Sequence, residues 1–399
     1  MGFRQFVTLI AALMATNALA IDAMLPALPA IGDSLSIATP NQRQWIVTSY
    51  LLGFGSAQLI YGTLSDRFGR RPVLLTGFAI YAVASLAAVA AHSFEAMMAA
   101  RVIQGVGAAG TRVLAVSIVR DCYSGRQMAR VMSLAFIVFL AVPIVAPSVG
   151  QVIMWVAPWR FIFGLLAVFS IAIALWAFAK LPETLHPEDR LPIAFGPVFQ
   201  SFRTVLTNRV SMGYMLAMTL VMGSLFGFIN SAQQVFVDVF QAGSYFTLIF
   251  ALIAASIALA SLLNARIVGR VGSRRVSHAA LLGFIALTCT HAAVAWTGHE
   301  SIWSFAILQC ATMFAFGLMG PNFGAMSMEP LGHVAGTASS VQGFITTVGG
   351  AVLGFAIGQQ LDGSVKPLTA GFAAFGIGAL LLVLFAEKGK LFRPSQPRS

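Results

Sequence analysis

The sequence predicts an all-α membrane protein of twelve transmembrane helices, arranged as two six-helix pseudo-repeat bundles. Three observations carry that prediction. Of the 399 residues, 58% are hydrophobic and only 9% are charged, against about 25% charged in an ordinary soluble domain. Apolar runs of roughly 20 residues, enough to cross a bilayer core of ~30 Å as a helix, recur along the whole chain. A short glycine- and arginine-containing loop appears at the same place in both halves.

The apolar runs fall near 5-31, 44-64, 73-92, 96-119, 130-155 and 160-181, then near 210-236, 245-267, 276-297, 302-327, 334-360 and 368-387. Barrel strands would instead alternate in ~10-residue pieces. The first run contains Ala18-Leu19-Ala20, which has the small residues of a secretory cleavage site. Cleavage there would leave eleven spans and break the pairing of the halves, so the segment is read as a helix that carries Asp22. The longest polar interval, Leu181 to Arg209, separates the two sets of six. The expected organisation is an N-terminal bundle over 1-182, a cytoplasmic linker over 183-209, a C-terminal bundle over 210-390 and a cytoplasmic tail over 391-399.

Orientation follows from lysine and arginine, which concentrate on the cytoplasmic side. With both termini inside, the inner loops collect Arg67, Arg70, Arg71, Arg120, Arg126, Arg130, Arg266, Arg270, Arg274 and Arg275, while the outer loops keep little beyond Arg43, Arg160 and Lys366. The same placement explains the net charge of +11: it lines a surface beside anionic lipid, so no nucleic-acid partner is expected. Cys122, Cys289 and Cys310 are isolated along the chain, which indicates neither a disulfide framework nor a thiolate metal site.

The repeated loop reads YGTLSDRFGRRPV from Tyr61 and ARIVGRVGSRRV up to Val276, with Gly69 falling on Gly272, Arg67 on Arg270 and Arg71 on Arg274. Repeated halves around one site are a common plan of secondary transporters. The first copy, with Gly62, Leu64, Asp66, Arg67, Gly69, Arg70 and Arg71 in place, resembles the loop signature of the major facilitator superfamily, G-x-L-x-D-R-x-G-R-[RK]. RVIQGVGAAG from Arg101 is similar to the fourth-helix signature R-x-x-Q-G-x-G of proton-coupled members. VPIVAPSVGQ resembles the fifth-helix antiporter signature in part, keeping Pro147 and Gly150 while Ala146 and Gln151 replace glycines. DAMLPALPAI, IVRDCYSG, LPETL and GTASSVQG are similar to segments of the bicyclomycin and chloramphenicol resistance branch of the twelve-helix drug:proton antiporters. The resemblance implies the major facilitator fold, the inner membrane of a bacterial-type cell, a monomer, and energy from the proton-motive force with no cofactor.

Asp22 alone among thirteen acidic residues lies well inside a span. An ionised carboxylate at the bilayer centre costs several kcal/mol unless it faces water or a partner, which marks Asp22 as a functional candidate. Arg101, in the fourth span, falls within ~6 Å of the same depth by helix rise, so a counter-charge across the bundle is sterically possible. Arg101, Gln104, Ala108 and Arg112 share one helical stripe. Arg112 is read either as part of the proton or substrate path or as a side chain snorkelling to the inner headgroups. GVGAAG matches a dinucleotide-binding pattern by letter, but no strand precedes it; small residues in a span serve close helix packing.

Pro143 and Pro147 free backbone carbonyls in the fifth span. They mark a kink, or by the resemblance a rocking surface that includes Gly150. The resemblance also implies that Asp66 bridges Arg120 and the N-terminal end of the eleventh helix near Gly336 when the inner side is closed. The C-terminal half offers uncharged polar candidates for a substrate cavity: Asn230, Gln233, Gln234, His291, Gln309, Asn322 and Gln342, with Gln104 from the N-terminal half. Each amide serves equally well as glue between helices. No H-E-x-x-H, no phosphate loop and no paired carboxylates within a span are present, so neither an enzyme, a metal site nor an ATP-driven pump is expected. The expected function is proton-coupled efflux of small amphipathic compounds such as chloramphenicol-like or bicyclomycin-like antibiotics. A proton symporter or a facilitator for a small metabolite would use the same fold.

Overall fold

The structure, a computed structural model, describes residues 1–190 and 196–392. Six long helices make up the N-terminal half: α1 (Phe3–Asp22), α2 (Gln44–Phe68), α3 (Arg70–Val89), α4 (Phe94–Cys122), α5 (Gly125–Val156) and α6 (Arg160–Lys180). Six more follow: α7 (Arg209–Gln234), α8 (Phe246–Val271), α9 (Ser273–Thr297), α10 (Ile302–Met328), α11 (Ala335–Gly358) and α12 (Lys366–Ala386). Between the two sets runs a short helix, Gly196–Thr207, inside the predicted linker. The chain divides into two compact units, Met1–Val198 and Phe199–Ser399.

Among the described residues, eleven of the twelve long helices are apolar enough to cross a membrane on composition alone. The remaining one, α2, carries Gln44, Thr48, Ser49 and Gln58, all buried within its bundle. A helix whose polar groups face protein and not lipid spans as well as an apolar one. The outer faces show where lipid lies: Phe161, Val168 and Leu175, one stripe at seven-residue spacing on α6, are all more than 60% exposed. Trp155, Trp296 and Trp303 are exposed near the helix ends opposite the arginine-rich loops, at the level where interfacial tryptophans gather.

The pseudo-repeat is carried by packing as well as by sequence. In the first unit α1 packs on α5, α2 on α4, α3 on α4, and α3 on α6; in the second, α7 packs on α11, α8 on α10, α9 on α10, and α9 on α12. The two loops singled out in the sequence share an unusual backbone: Gly69 has φ +100° and ψ 159°, Gly272 φ +93° and ψ 143°. Both close one helix and open the next within a single residue, in a conformation that side chains with a Cβ resist.

Close approach inside the N-terminal bundle depends on the small residues of α4. A Cβ on Gly105 would strike the Tyr50 carbonyl of α2, and one on Gly107 the Tyr81 backbone of α3. GVGAAG is therefore a two-sided packing wedge, as its place in an apolar span predicts.

Candidate functional site

Asp22 is the last residue of α1, and the sequence shows why the helix stops there. Pro26 lacks the N–H that would bond to the Asp22 carbonyl, and Pro29 likewise deprives Leu25. The chain tightens into a short 3₁₀ turn, Leu25–Ala27, before resuming as a helix over Leu28–Ser34. Asp22 itself is 4% exposed. Against the break lies Gly150 of α5, where a Cβ would collide with the Ala23 carbonyl. The glycine retained from the fifth-helix signature thus lets α5 touch the residue next to the buried carboxylate.

Arg101 is fully buried, yet its guanidinium does not pair with a carboxylate. Its Nε–H donates to the Ile46 carbonyl of α2 at 2.9 Å and an Nη–H to the Ala20 carbonyl of α1 at 3.3 Å. The other Nη donates to the side-chain oxygen of Gln104. The Gln104 amide in turn donates to the Ser85 hydroxyl of α3 at 2.7 Å. Aromatic faces close the remaining sides: the Tyr50 ring at 4.5 Å and the Phe163 ring of α6 at 5.8 Å. One cation thereby ties α1, α2, α3, α4 and α6 together. No ion pair between Asp22 and Arg101 exists among the described residues; Arg101 holds the main chain two residues before the carboxylate. The Tyr50 hydroxyl donates to Asn17 of α1 at 2.9 Å.

The predicted stripe on α4 is buried through Arg101, Gln104 and Ala108, but Arg112 is exposed. Eleven residues exceed three turns by only about 20°, so Arg112 keeps to the same face of α4, and it is the covering of that face that ends before it.

The glycine- and arginine-containing loop of the first unit forms a charge cluster. Asp66 does not bridge Arg120, which is exposed and joins no ion pair among the described residues. The bridge is Arg70: it pairs with Asp66 at 2.5 Å and with Asp121 at 2.9 Å. Neighbouring residues on a helix point about 100° apart, so at the end of α4 Asp121 reaches the cluster while Arg120 turns away. Glu183, from the LPETL segment, caps α3 by accepting the Arg70 N–H at 2.8 Å and the Arg71 N–H at 3.2 Å. A carboxylate on the first turn of a helix is favoured by the helix dipole. Arg71 donates to the Phe178 carbonyl, Arg67 is exposed, and Gly62 accepts from Ser65 through its carbonyl. Pro143 and Pro147 lie within α5, which continues through both. Asp121 and Glu183 were missed as site residues, although the segments that hold them stood out.

The second half repeats the cluster. Arg274 of α9 donates to Glu387, just past α12, at 2.8 Å and to Glu329, just past α10, at 3.2 Å. Tyr214 of α7 donates to Glu387 at 2.7 Å and meets His278 Nε2 at 2.9 Å. His278 Nδ1 accepts the Phe392 N–H at 3.0 Å, so its ring proton sits on Nε2 and the start of the tail is held. Burial works against the charge on Glu387, but the hydrogen bonds from Arg274 and Tyr214 outweigh it and hold the carboxyl below its ordinary value. A depressed folded-state value contributes stability that is present above the ordinary glutamate value of 4.5 and is lost as pH falls through the folded one. Melting temperatures of wild type and Glu387→Gln should therefore differ at neutral pH and converge on acidification below that value. A gap that persists unchanged into acid would show that Glu387 contributes through packing alone.

Two of the predicted cavity amides join helices. Asn322 of α10 donates to Asn264 of α8 at 2.7 Å, and Gln342 of α11 to Ser327 of α10 at 2.6 Å. Asn230, Gln233, Gln234, His291 and Gln309 are buried. Of these, Gln233 Nε2, both ring nitrogens of His291 and both amide atoms of Gln309 lack hydrogen-bond partners.

Residues 10–354 match the model of the Major Facilitator Superfamily. The chain belongs to that family. It is a transporter of the superfamily and not an enzyme, and a transporter of this fold carries a small molecule. Among curated relatives it is 29% identical to a bicyclomycin resistance protein homolog of Haemophilus influenzae, covering 91% of this chain and 90% of the relative. It is 32% identical to a chloramphenicol resistance protein of Pseudomonas aeruginosa, over 84% and 78% of the two chains. The multidrug resistance protein MdtL of Escherichia coli is 28% identical over 93% and 92%. Among solved structures, the xylose transporter XylE of E. coli, in a partially occluded inward-open conformation, superposes with a TM-score of 0.75 over 99% and 98% of the chains at 13% identity. The human organic anion transporter MFSD10 does so with 0.70 over 96% and 99% at 21%. At those identities the superpositions establish the fold.

Proposed function

We propose that this transporter exports small amphipathic compounds across the inner membrane in exchange for protons, with both termini on the cytoplasmic side. The observation that carries the reading is Asp22: an acid 4% exposed, at the end of a broken helix, with no ion pair among the described residues. Charging such a group without a counter-ion costs several kcal/mol, so gaining or losing a proton changes the energy of the helix that bears it. The Gly150 contact then passes a change at Asp22 to α5. The relatives named for resistance to bicyclomycin, chloramphenicol and several drugs support neutral or weakly polar antibiotics as the substrate class. One proton returning through 100 mV supplies ~2.3 kcal/mol, before any pH gradient is added, which is enough for useful accumulation of a neutral compound.

The test is proton flux in liposomes containing the purified protein, challenged with chloramphenicol and with a lipophilic cation. Wild type should move protons when chloramphenicol is added, and Asp22→Asn should not. Unchanged coupling in Asp22→Asn would remove the carboxylate from its role. Proton movement in the same direction as the drug would replace exchange by symport.

A further inference from the structure

Glu300 lies in the short turn between α9 and α10, on the face opposite the arginine-rich loops, yet its side chain is only 5% exposed. It folds inward until its Oε1 is 2.7 Å from Nε2 of His291, which is 1% exposed. A glutamate at the rim of a membrane bundle has water within one rotamer, so burying it against an imidazole must be compensated by what it meets there. The two atoms are close but not aligned as a regular hydrogen bond. His291 Nδ1, Glu300 Oε2, both amide atoms of Gln309 and the Thr312 hydroxyl are likewise buried without partners. His291 is six residues from the end of α9 at Thr297, and Gln309 is seven from the start of α10 at Ile302. With 1.5 Å per residue, both lie about 10 Å in from the same edge. Phe305 of α10 packs edge-on to His291 at 5.0 Å and to Phe236 at 5.7 Å, closing the apolar side.

We propose that His291 and Glu300 form a second proton-binding site, in the C-terminal half, which holds one proton between ring and carboxylate and exchanges it with the face opposite the arginine-rich loops. With one proton the couple is neutral overall, whether as imidazolium and carboxylate or as imidazole and carboxylic acid. Losing that proton leaves one buried negative charge and gaining another leaves one positive, so burial favours the state that holds one proton. The Gln309 amide and the Thr312 hydroxyl offer both donors and acceptors, and can therefore serve either charge state.

The surrounding charges leave the couple to itself. His299, in the same turn, is exposed and its Nδ1 meets the Thr297 carbonyl at 2.9 Å. Lys366 at the start of α12 stands over the Trp296 ring at 5.6 Å, and Asp362 before it is held by Ser364. Asp238 follows α7; α8 has no charge before Arg266, and α10 has none along its length. None of these pairs with His291 or Glu300 among the described residues. For its link to transport the proposal rests on the exchange reading above. The titration itself needs no substrate, so a failure of Asp22 to couple leaves the present test standing.

The experiment is a pH titration, by nuclear magnetic resonance, of the full-length protein labelled with ¹⁵N-histidine in lipid nanodiscs, with the His291 signal assigned by its loss in His291→Gln. The pH at which the His291 ring responds should differ by a unit or more, roughly tenfold in proton affinity, between wild type and Glu300→Gln, while the other histidines keep their curves. Glu300→Asp, which keeps the charge on a shorter stem, should fall between the two and guards against misfolding of the amide variant. Superimposable His291 curves in wild type and both variants would overturn the proposal, as would a His291 ring that does not respond to pH at all in wild type.

Discussion

Arg101→Ala should lower the stability of the folded protein by about 2–5 kcal/mol, the range for truncating a large buried side chain to alanine and leaving its space empty. The size follows from how many groups depend on one side chain. Ile46, Ala20 and Gln104 each lose a donor. The Tyr50 face loses a cation, itself worth ~2 kcal/mol when desolvated, and a guanidinium-sized space opens where five helices meet. Arg101→Lys should recover only part of the loss, because a single ammonium on a flexible stem cannot meet three acceptors that point in different directions. Thermal unfolding of the purified variants in detergent decides the matter. Equal melting temperatures for wild type and Arg101→Ala would mean that the network contributes nothing. A lysine variant as stable as wild type would mean that charge alone suffices.

Gly150→Leu should abolish transport, and Gly150→Ala should impair it at a cost of about 1–3 kcal/mol in overpacking. The first added carbon already meets the Ala23 carbonyl, so α5 must withdraw from α1 at the residue following Asp22. Gly164 on α6 is the internal control, since a Cβ there meets nothing within 4 Å; Gly164→Ala should match wild type in both melting temperature and uptake. Drug accumulation in cells expressing each variant, normalised to protein in the membrane, measures the effect. Wild-type export by Gly150→Leu would show that α5 and α1 need not touch for the cycle to run.

Much of this was legible in the residues, and what was not has physical causes. The helices could be read because a span needs a fixed length of apolar chain, and the break in α1 because Pro26 and Pro29 each remove a donor. Asp22 stood out since nothing else acidic lies inside a span. The environment of Arg101 was hidden because its partners are mainly backbone carbonyls, which every residue possesses and no letter reveals. The exchange of Arg120 for its neighbour Asp121 is a matter of rotation at the end of a helix, finer than spacing can resolve. Glu300 escaped notice for the opposite reason: it stands in a polar turn where a glutamate looks ordinary, and only the direction of its side chain makes it otherwise. Asn322 and Gln342 were open between a ligand and a neighbouring helix, and each bonds to a neighbouring helix.

The duplicated arginine–carboxylate cluster has a bearing on ancestry. In the first half the clamping arginine directly follows the left-handed glycine, at Arg70; in the second it stands one place later, at Arg274, opposite Arg71 in the repeat. Of the carboxylates it grips, Asp121 and Glu329 sit at the ends of equivalent helices, α4 and α10, whereas Asp66 lies at the end of α2 and Glu387 just past α12. The geometry of the clamp has thus outlived its spelling. A descendant of a fused pair can keep the shape of an inherited joint while the residues that make it drift, so the letters set Arg274 opposite Arg71 while the turns show it doing the work of Arg70.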